Sequence, residues 1–197
     1  MGIKGLIFDL DGTIVNVPYN WSRINAELGT HGIPILTYLG GLEEPDKSRK
    51  WEILKKYEDE ATQRAQLKKG MKEFLSSLSQ KGVRKALVTN NSRENVEFLL
   101  RKFGLAFDLV ISRESGLWKP SAVPFLEVQK RLALKKEECA VVGDSLFDVQ
   151  AAKGAGIERV FLLTQGKEKF FGTGAEIFTS VEALQQRIEQ LLAQGRD

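Results

Sequence analysis

Leu6-Ile7-Phe8-Asp9-Leu10-Asp11-Gly12-Thr13 is a short apolar run that ends in two acids spaced two apart and a glycine. The run is β-branched or aromatic and follows Gly5, which is the pattern of a buried strand. In extended backbone, residues two apart point the same way, so Asp9 and Asp11 address one site while Leu10 turns into packing. Two neighbouring carboxylates suit a hard divalent cation, and they also allow one to attack while the other moves a proton. Gly12 permits a sharp departure from the strand. Working outward, similar runs recur at 85–89, Leu109-Val110-Ile111, Ala140-Val141-Val142 and 160–163. Between them lie stretches of helical spacing: 71–80, 94–103, 123–132, 146–153 and 181–192. Alternating helices and continuously apolar strands predict an α/β fold, a doubly wound parallel sheet covered on both faces. Such sheets bind ligands beyond the carboxyl ends of their strands.

One segment breaks the alternation. Residues 16–69 contain no convincing buried strand, and Gly29, Gly32, Gly40, Gly41 and Pro45 punctuate them. Trp21, Ile24 and Leu28 fall at helical spacing, Pro34 to Leu39 suits a short helix, and 46–69 suits a long charged one with Trp51, Leu54, Tyr57 and Ala61 along one side. We therefore expect a small α-helical cap over 16–69, inserted in a core of 1–15 and 70–197, with Trp21 and Trp51 in the cap's own apolar centre. The composition narrows the function classes. Among 197 residues, 29 Lys and Arg face 26 Asp and Glu, a charge of +3, which is no footprint for nucleic acid. One Cys (Cys139) and one His (His31) cannot build a disulfide framework or a zinc finger. The apolar runs are too short to span a bilayer, and Asp9 follows the first residues too closely for a signal peptide, so a cytoplasmic location is expected.

Three further motifs sit at predicted strand ends. Thr89-Asn90-Asn91-Ser92 offers a hydroxyl and backbone N–H groups ahead of a helix, a pattern that serves an anion or simply caps the helix. In Lys119-Pro120 the proline stiffens the segment that presents the ammonium, though an isolated Lys-Pro is ordinarily a solvated loop. In Gly143-Asp144-Ser145-Leu146-Phe147-Asp148, Asp144 can bind a metal with Asp148 one turn behind it, or Asp144 and Ser145 can merely cap a helix.

Taken in order at successive strand ends, the four motifs resemble those of the haloacid dehalogenase-like hydrolase superfamily. The resemblance spans nearly all of the chain outside 16–69. It implies a three-layer core with the first strand central, and Mg²⁺-dependent phosphoryl transfer through an aspartyl phosphate. On that resemblance, Asp9 is nucleophile and metal ligand. Asp11 is general acid and base, with its backbone carbonyl on the metal. Thr89, Asn90 and Lys119 hold the phosphate, while Asp144 completes the metal set and Asp148 lies behind it. Retention of Asp11 argues against carbon–halogen cleavage, since true dehalogenases lack that carboxylate. The insertion occupies the family's cap position but is shorter than the cap of phosphoglycolate phosphatases. The expected activity is hydrolysis of small phosphorylated metabolites by a monomer or homodimer without nucleic-acid or membrane partners. A β-phosphoglucomutase-like phosphotransferase and a non-catalytic binding module of the same fold are the alternatives. Intact Asp9 and Asp11 argue against the second. Cys139 reads as an inert core thiol, His31 as a surface or hinge residue, and Arg23 as an exposed helical arginine.

Overall fold

A computed structural model describes residues 2–166 and 168–194. The chain divides into two compact units, Met1–Asn16 with Leu67–Asp197, and Val17–Gln66. In chain order the elements are β1 (Gly5–Phe8), β2 (Val15–Asn16), α1 (Trp21–Leu28), α2 (Ile35–Gly40), α3 (Asp46–Gln63), β3 (Gln66–Leu67), α4 (Met71–Gln80), β4 (Arg84–Val88), α5 (Arg93–Phe103), β5 (Leu109–Ile111), α6 (Val123–Arg131), β6 (Cys139–Gly143), α7 (Leu146–Gly154), β7 (Val160–Leu163), β8 (Glu176–Phe178) and α8 (Val181–Gln194).

The first unit is built on a six-stranded sheet of order β5-β4-β1-β6-β7-β8, parallel at every pairing. The first strand is therefore interior, with β4 on one side and β6 on the other. All four of its residues are buried, as a strand covered on both faces requires. Alternation assigns the two faces. Ile7, Ala86, Val88, Val141 and Leu162 join Phe125 and Val128 of α6 and Ala151 and Ala152 of α7 in one apolar cluster. On the other face Phe8 meets Phe74 of α4 edge-on, with ring centroids 6.1 Å apart. There α8 packs on α4, β7 and β8. Helices cover both faces, so the expected three-layer, doubly wound α/β architecture is the observed one.

Three local expectations are corrected. The edge strand β8 carried no recognisable signal, because its three residues are part-exposed and include Glu176. The helix expected over 46–69 stops at Gln63: Arg64 caps it, and Gln66–Leu67 then extends to pair with Val15–Asn16 in a two-stranded ladder. That ladder also supplies the two short strands missed between Thr13 and Gly70.

The second unit holds α1, α2 and α3, and its buried side chains include Ile24, Leu28, Leu36, Leu39, Leu54 and Ala61. Trp21 is 47% exposed rather than central. It opens α1 and lies against Tyr19, with ring centroids 4.4 Å apart, instead. Lys50 ties this unit together, donating to the Leu28 carbonyl and to the Tyr38 hydroxyl, each at 2.5 Å. His31 is exposed with a φ of 50°, and Arg23 is exposed as expected. Gln194 ends α8, and the rest of the expected frayed tail lies outside the described residues. No helix among the described residues is long and apolar enough to cross a membrane.

Candidate active site at the carboxyl ends of the central strands

The parallel ladder runs one residue past β1 and β4. Asp9 N–H donates to the Val142 carbonyl at 2.9 Å, and Thr89 N–H donates to that of Ile111 at 3.0 Å. Each residue is thereby held as the last rung of its strand, at the sheet's carboxyl edge. Gly12, with φ of 78°, turns the chain away from that edge. Any Cβ there would stand 1.9 Å from Asp144 Oδ2, so only glycine lets the β1 turn and the β6 end approach this closely.

The centre of the site is Lys119. Its Nζ lies 2.7 Å from Asp9 Oδ1 and 2.7 Å from Asp148 Oδ1, and the residue is 5% exposed. The loop carrying it is pinned by Asn90, whose Nδ2 donates to the Lys119 carbonyl at 2.8 Å while its Oδ1 accepts from Lys119 N–H at 2.9 Å. Arg113 Nε in turn donates to the Asn90 carbonyl at 2.9 Å. The Asn90 side chain is thus committed to placing Lys119, and its backbone N–H has no partner among the described residues.

Asp148 is fully buried, and both its oxygens are occupied. Oδ1 accepts from Lys119, and Oδ2 accepts from Asp144 N–H at 3.2 Å, Ser145 N–H at 3.1 Å and the Ser145 hydroxyl at 2.7 Å. These last bonds form a capping box that opens α7, so one carboxylate both starts the helix and orients the lysine. Asp144 is different. Its carboxylate has no hydrogen-bond or ion-pair partner among the described residues. Asp11 Oδ2 accepts from Asn91 Nδ2 at 2.9 Å, and Asn91 is itself buried with its N–H donating to the Thr89 hydroxyl at 3.1 Å. Asn91 is the residue that reading along the chain left without a role: nothing local announces a bond to a residue 80 positions away.

Electrostatics follow from this burial. Desolvation pushes Asp9 up to about 6 from 3.8, with Lys119 pulling down against it and Asp148 adding to the rise. Asp144 is pushed up to about 8, first by burial and then by the charges of Asp9 and Asp148, which outweigh Lys119 and Lys68. Burial works against the charge on Lys119 too, but Asp148 and Asp9 outweigh it and hold the ammonium above the ordinary lysine range. Once ionised, the three carboxylates outnumber the one bonded ammonium, a negative excess that a bound cation would offset. Carboxylate oxygens of Asp9, Asp144 and Asp148 lie within 4.8 Å of one another. An all-oxygen set with an uncompensated buried carboxylate fits a small divalent cation such as Mg²⁺, held by Asp9 and Asp144. Cys139 takes no part: it is fully buried, and burial pushes its thiol up to about 11.

Comparison with known proteins agrees with this geometry. The family model for haloacid dehalogenase-like hydrolases matches residues 16–162. A haloacid dehalogenase-like hydrolase domain-containing protein of Arabidopsis thaliana is 28% identical over 99% of this chain and 86% of its own length. A phosphoglycolate phosphatase of Pectobacterium atrosepticum is 31% identical over 80% of this chain and 79% of its own. Among solved structures, a Thermotoga maritima protein described as a candidate β-phosphoglucomutase has the same fold, with a TM-score of 0.70 at 24% identity over 96% of this chain and all of that one. A buried lysine joining Asp9 at the end of β1 to Asp148 in the first turn of α7, with Asp144 beside them at the end of β6, and a family model that matches most of the chain place this protein in the haloacid dehalogenase-like hydrolase family, among sequences similar to its phosphoglycolate phosphatases.

Proposed function

We propose that this protein is a Mg²⁺-dependent phosphatase of small phosphate monoesters that works through a phosphorylated Asp9. The observation that carries the reading is the arrangement around Lys119: one ammonium shared at 2.7 Å between Asp9 and Asp148, beside the carboxylate of Asp144, which has no partner among the described residues. A divalent cation held by Asp9, Asp144 and the Asp11 backbone carbonyl supplies charge neutralisation where two anions must meet. The chain's own groups do the rest. Lys119, the Thr89 hydroxyl and the Asn90 N–H take up phosphoryl oxygens and hold phosphorus in line with Asp9. An Asp9 carboxylate oxygen attacks phosphorus, the P–O bond to the ester oxygen breaks, and Asp11 gives its proton to the departing alkoxide. Asp11, now ionised and still oriented by Asn91, takes a proton from water as that water attacks the phosphorylated Asp9 and releases inorganic phosphate. Asp148 serves from behind by orienting Lys119.

The similarity to phosphoglycolate phosphatases supports small phosphorylated metabolites as substrates. The helical unit Val17–Gln66, inserted where the catalytic strand ends, is proposed as the cap that selects among them. The test is a screen of phosphorylated metabolites with purified protein, following phosphate release with Mg²⁺ and with excess EDTA. Release of phosphate only with Mg²⁺, and little with Ca²⁺, is expected. Release that persists in chelator would overturn the metal role. Sugar-phosphate isomerisation much faster than phosphate release would make the protein a mutase instead.

A further inference from the structure

Lys68 lies between the two-stranded ladder and α4, within the core unit, and it is half-buried while its neighbour Lys69 is exposed. Its backbone places it against the catalytic turn. Lys68 N–H donates to the Ile14 carbonyl at 3.0 Å, and Gly12 N–H in the same turn donates to the Val15 carbonyl at 2.8 Å. Gly12 is in turn the residue against which the Asp144 carboxylate lies. Lys68, the Gly12–Ile14 turn and Asp144 are therefore successive neighbours. Among the described residues the Lys68 ammonium has no hydrogen-bond acceptor and no carboxylate within ion-pair distance, and Asp144 has no donor. Burial holds Lys68 below the ordinary lysine range, opposed by the Asp144 charge, so the two groups sense each other without touching.

An ammonium left without a partner in a partly desolvated place is costly. Asp144 belongs to the cation set. Solvent reaches the half-buried Lys68, but no side chain among the described residues offers it an anion, which leaves that place open to an anionic group of a ligand. The transferring phosphoryl group already has Lys119, Thr89 and Asn90. We propose that Lys68 is a specificity-determining residue whose ammonium takes a second anionic group of the substrate, a carboxylate or a further phosphoryl. This rests on the phosphatase reading of the same site.

The experiment is equilibrium binding to the Mg²⁺-loaded full chain of three non-hydrolysable probes: inorganic phosphate, phosphonoacetate and methylenediphosphonate. The variants are Lys68→Met, Lys68→Arg and the exposed neighbour control Lys69→Met. Wild type should hold one of the two doubly anionic probes at least about tenfold more tightly than phosphate, and Lys68→Met should erase most of that advantage while changing phosphate affinity by less than about twofold. Which probe shows the preference tells carboxylate from phosphoryl. Lys68→Arg should retain most of the preference, and Lys69→Met all of it. Equal weakening of all three probes in Lys68→Met, or an unchanged preference, overturns the role of Lys68 while leaving the phosphatase reading in place. If wild type in Mg²⁺ binds none of the probes, the phosphatase reading itself fails and takes this inference with it.

Discussion

At the scale of single residues, Asp9 and Lys119 give opposite expectations for folding. Asp9→Asn removes the proposed nucleophile, and an amide neither attacks phosphorus nor holds Mg²⁺ well. Turnover of an aryl phosphate should fall by about 10³-fold or more. The fold should survive, because the lost carboxylate is one that burial already disfavours in its ionised form. A tenth of wild-type kcat in the purified variant would remove Asp9 from the nucleophile's role. Lys119→Met is the reverse case. It leaves Asp9 and Asp148 buried, facing each other without the ammonium that both touch at 2.7 Å. Taking one partner from a buried ionic cluster costs about 3–5 kcal/mol. Urea denaturation of the metal-free variant should show a loss of that order, and a loss below about 1 kcal/mol would mean that Lys119 is not what balances the cluster.

At the scale of elements, the junction of β6 and α7 concentrates the design of the site. Gly143 closes the strand, Asp144 leaves it, and Ser145 with Asp148 starts the helix. A Cβ on Gly143 would lie 2.3 Å from Asp148 Cγ. Asp148 cannot yield, since it is fully buried with both oxygens bonded. Gly143→Ala must therefore push the carboxylate, and with it the Lys119 ammonium, out of place. We expect a stability loss of about 1–3 kcal/mol together with a fall in kcat. Ser145→Ala removes only the cap hydroxyl and should cost about 1 kcal/mol with a smaller effect on turnover. Denaturation midpoints and kcat for the two variants check the order, and a Gly143→Ala enzyme as active as wild type would show that the junction tolerates displacement of Asp148.

At the scale of the whole molecule, the buried acids make metal-free stability depend on pH in an unusual direction. Asp144 is pushed up to about 8 and Asp9 to about 6, from 3.8. Between those values the folded protein binds more protons than the unfolded chain, so stability from these groups falls as pH rises through about 4 to 8. The carboxyls held low by hydrogen bonds, such as Glu138 bonded to Lys4, act only where carboxylates titrate in the unfolded chain, at the acid end of that window. The melting temperature in excess chelator should therefore be higher near about pH 5 than near about pH 8, and Asp144→Asn should flatten the difference. Saturating Mg²⁺ should raise the melting temperature more at the higher pH, where the acids are ionised and the cation offsets their repulsion. A metal-free melting temperature that climbs steadily over the same range would contradict the burial of these acids.

What the chain alone determined is local in origin. Apolar runs of strand length, helical spacing between them and glycine punctuation specify a covered parallel sheet, because the periods of two and of 3.6 are written in neighbouring residues. The same locality placed Asp9, Thr89, Lys119 and Asp144 at or after strand ends. Only the tertiary structure decided how those ends meet. The order β5-β4-β1-β6 brings Lys119 to Asp9 and Asn91 to Asp11 across 80 or more positions, and no spacing rule anticipates bonds that depend on which strands become neighbours. Burial was likewise decided in three dimensions. Trp21, apolar and in phase with Ile24, stays exposed because it lies at the helix end, whereas Asp148, an acid in a polar turn, is fully buried because its oxygens are both bonded. The early end of α3 and the edge strand β8 belong to the same class, since pairing with a distant strand outweighed the local preference of their residues. Hydrophobic pattern is a property of neighbours along the chain, but charge balance is a property of neighbours in space, and this site is made of the second.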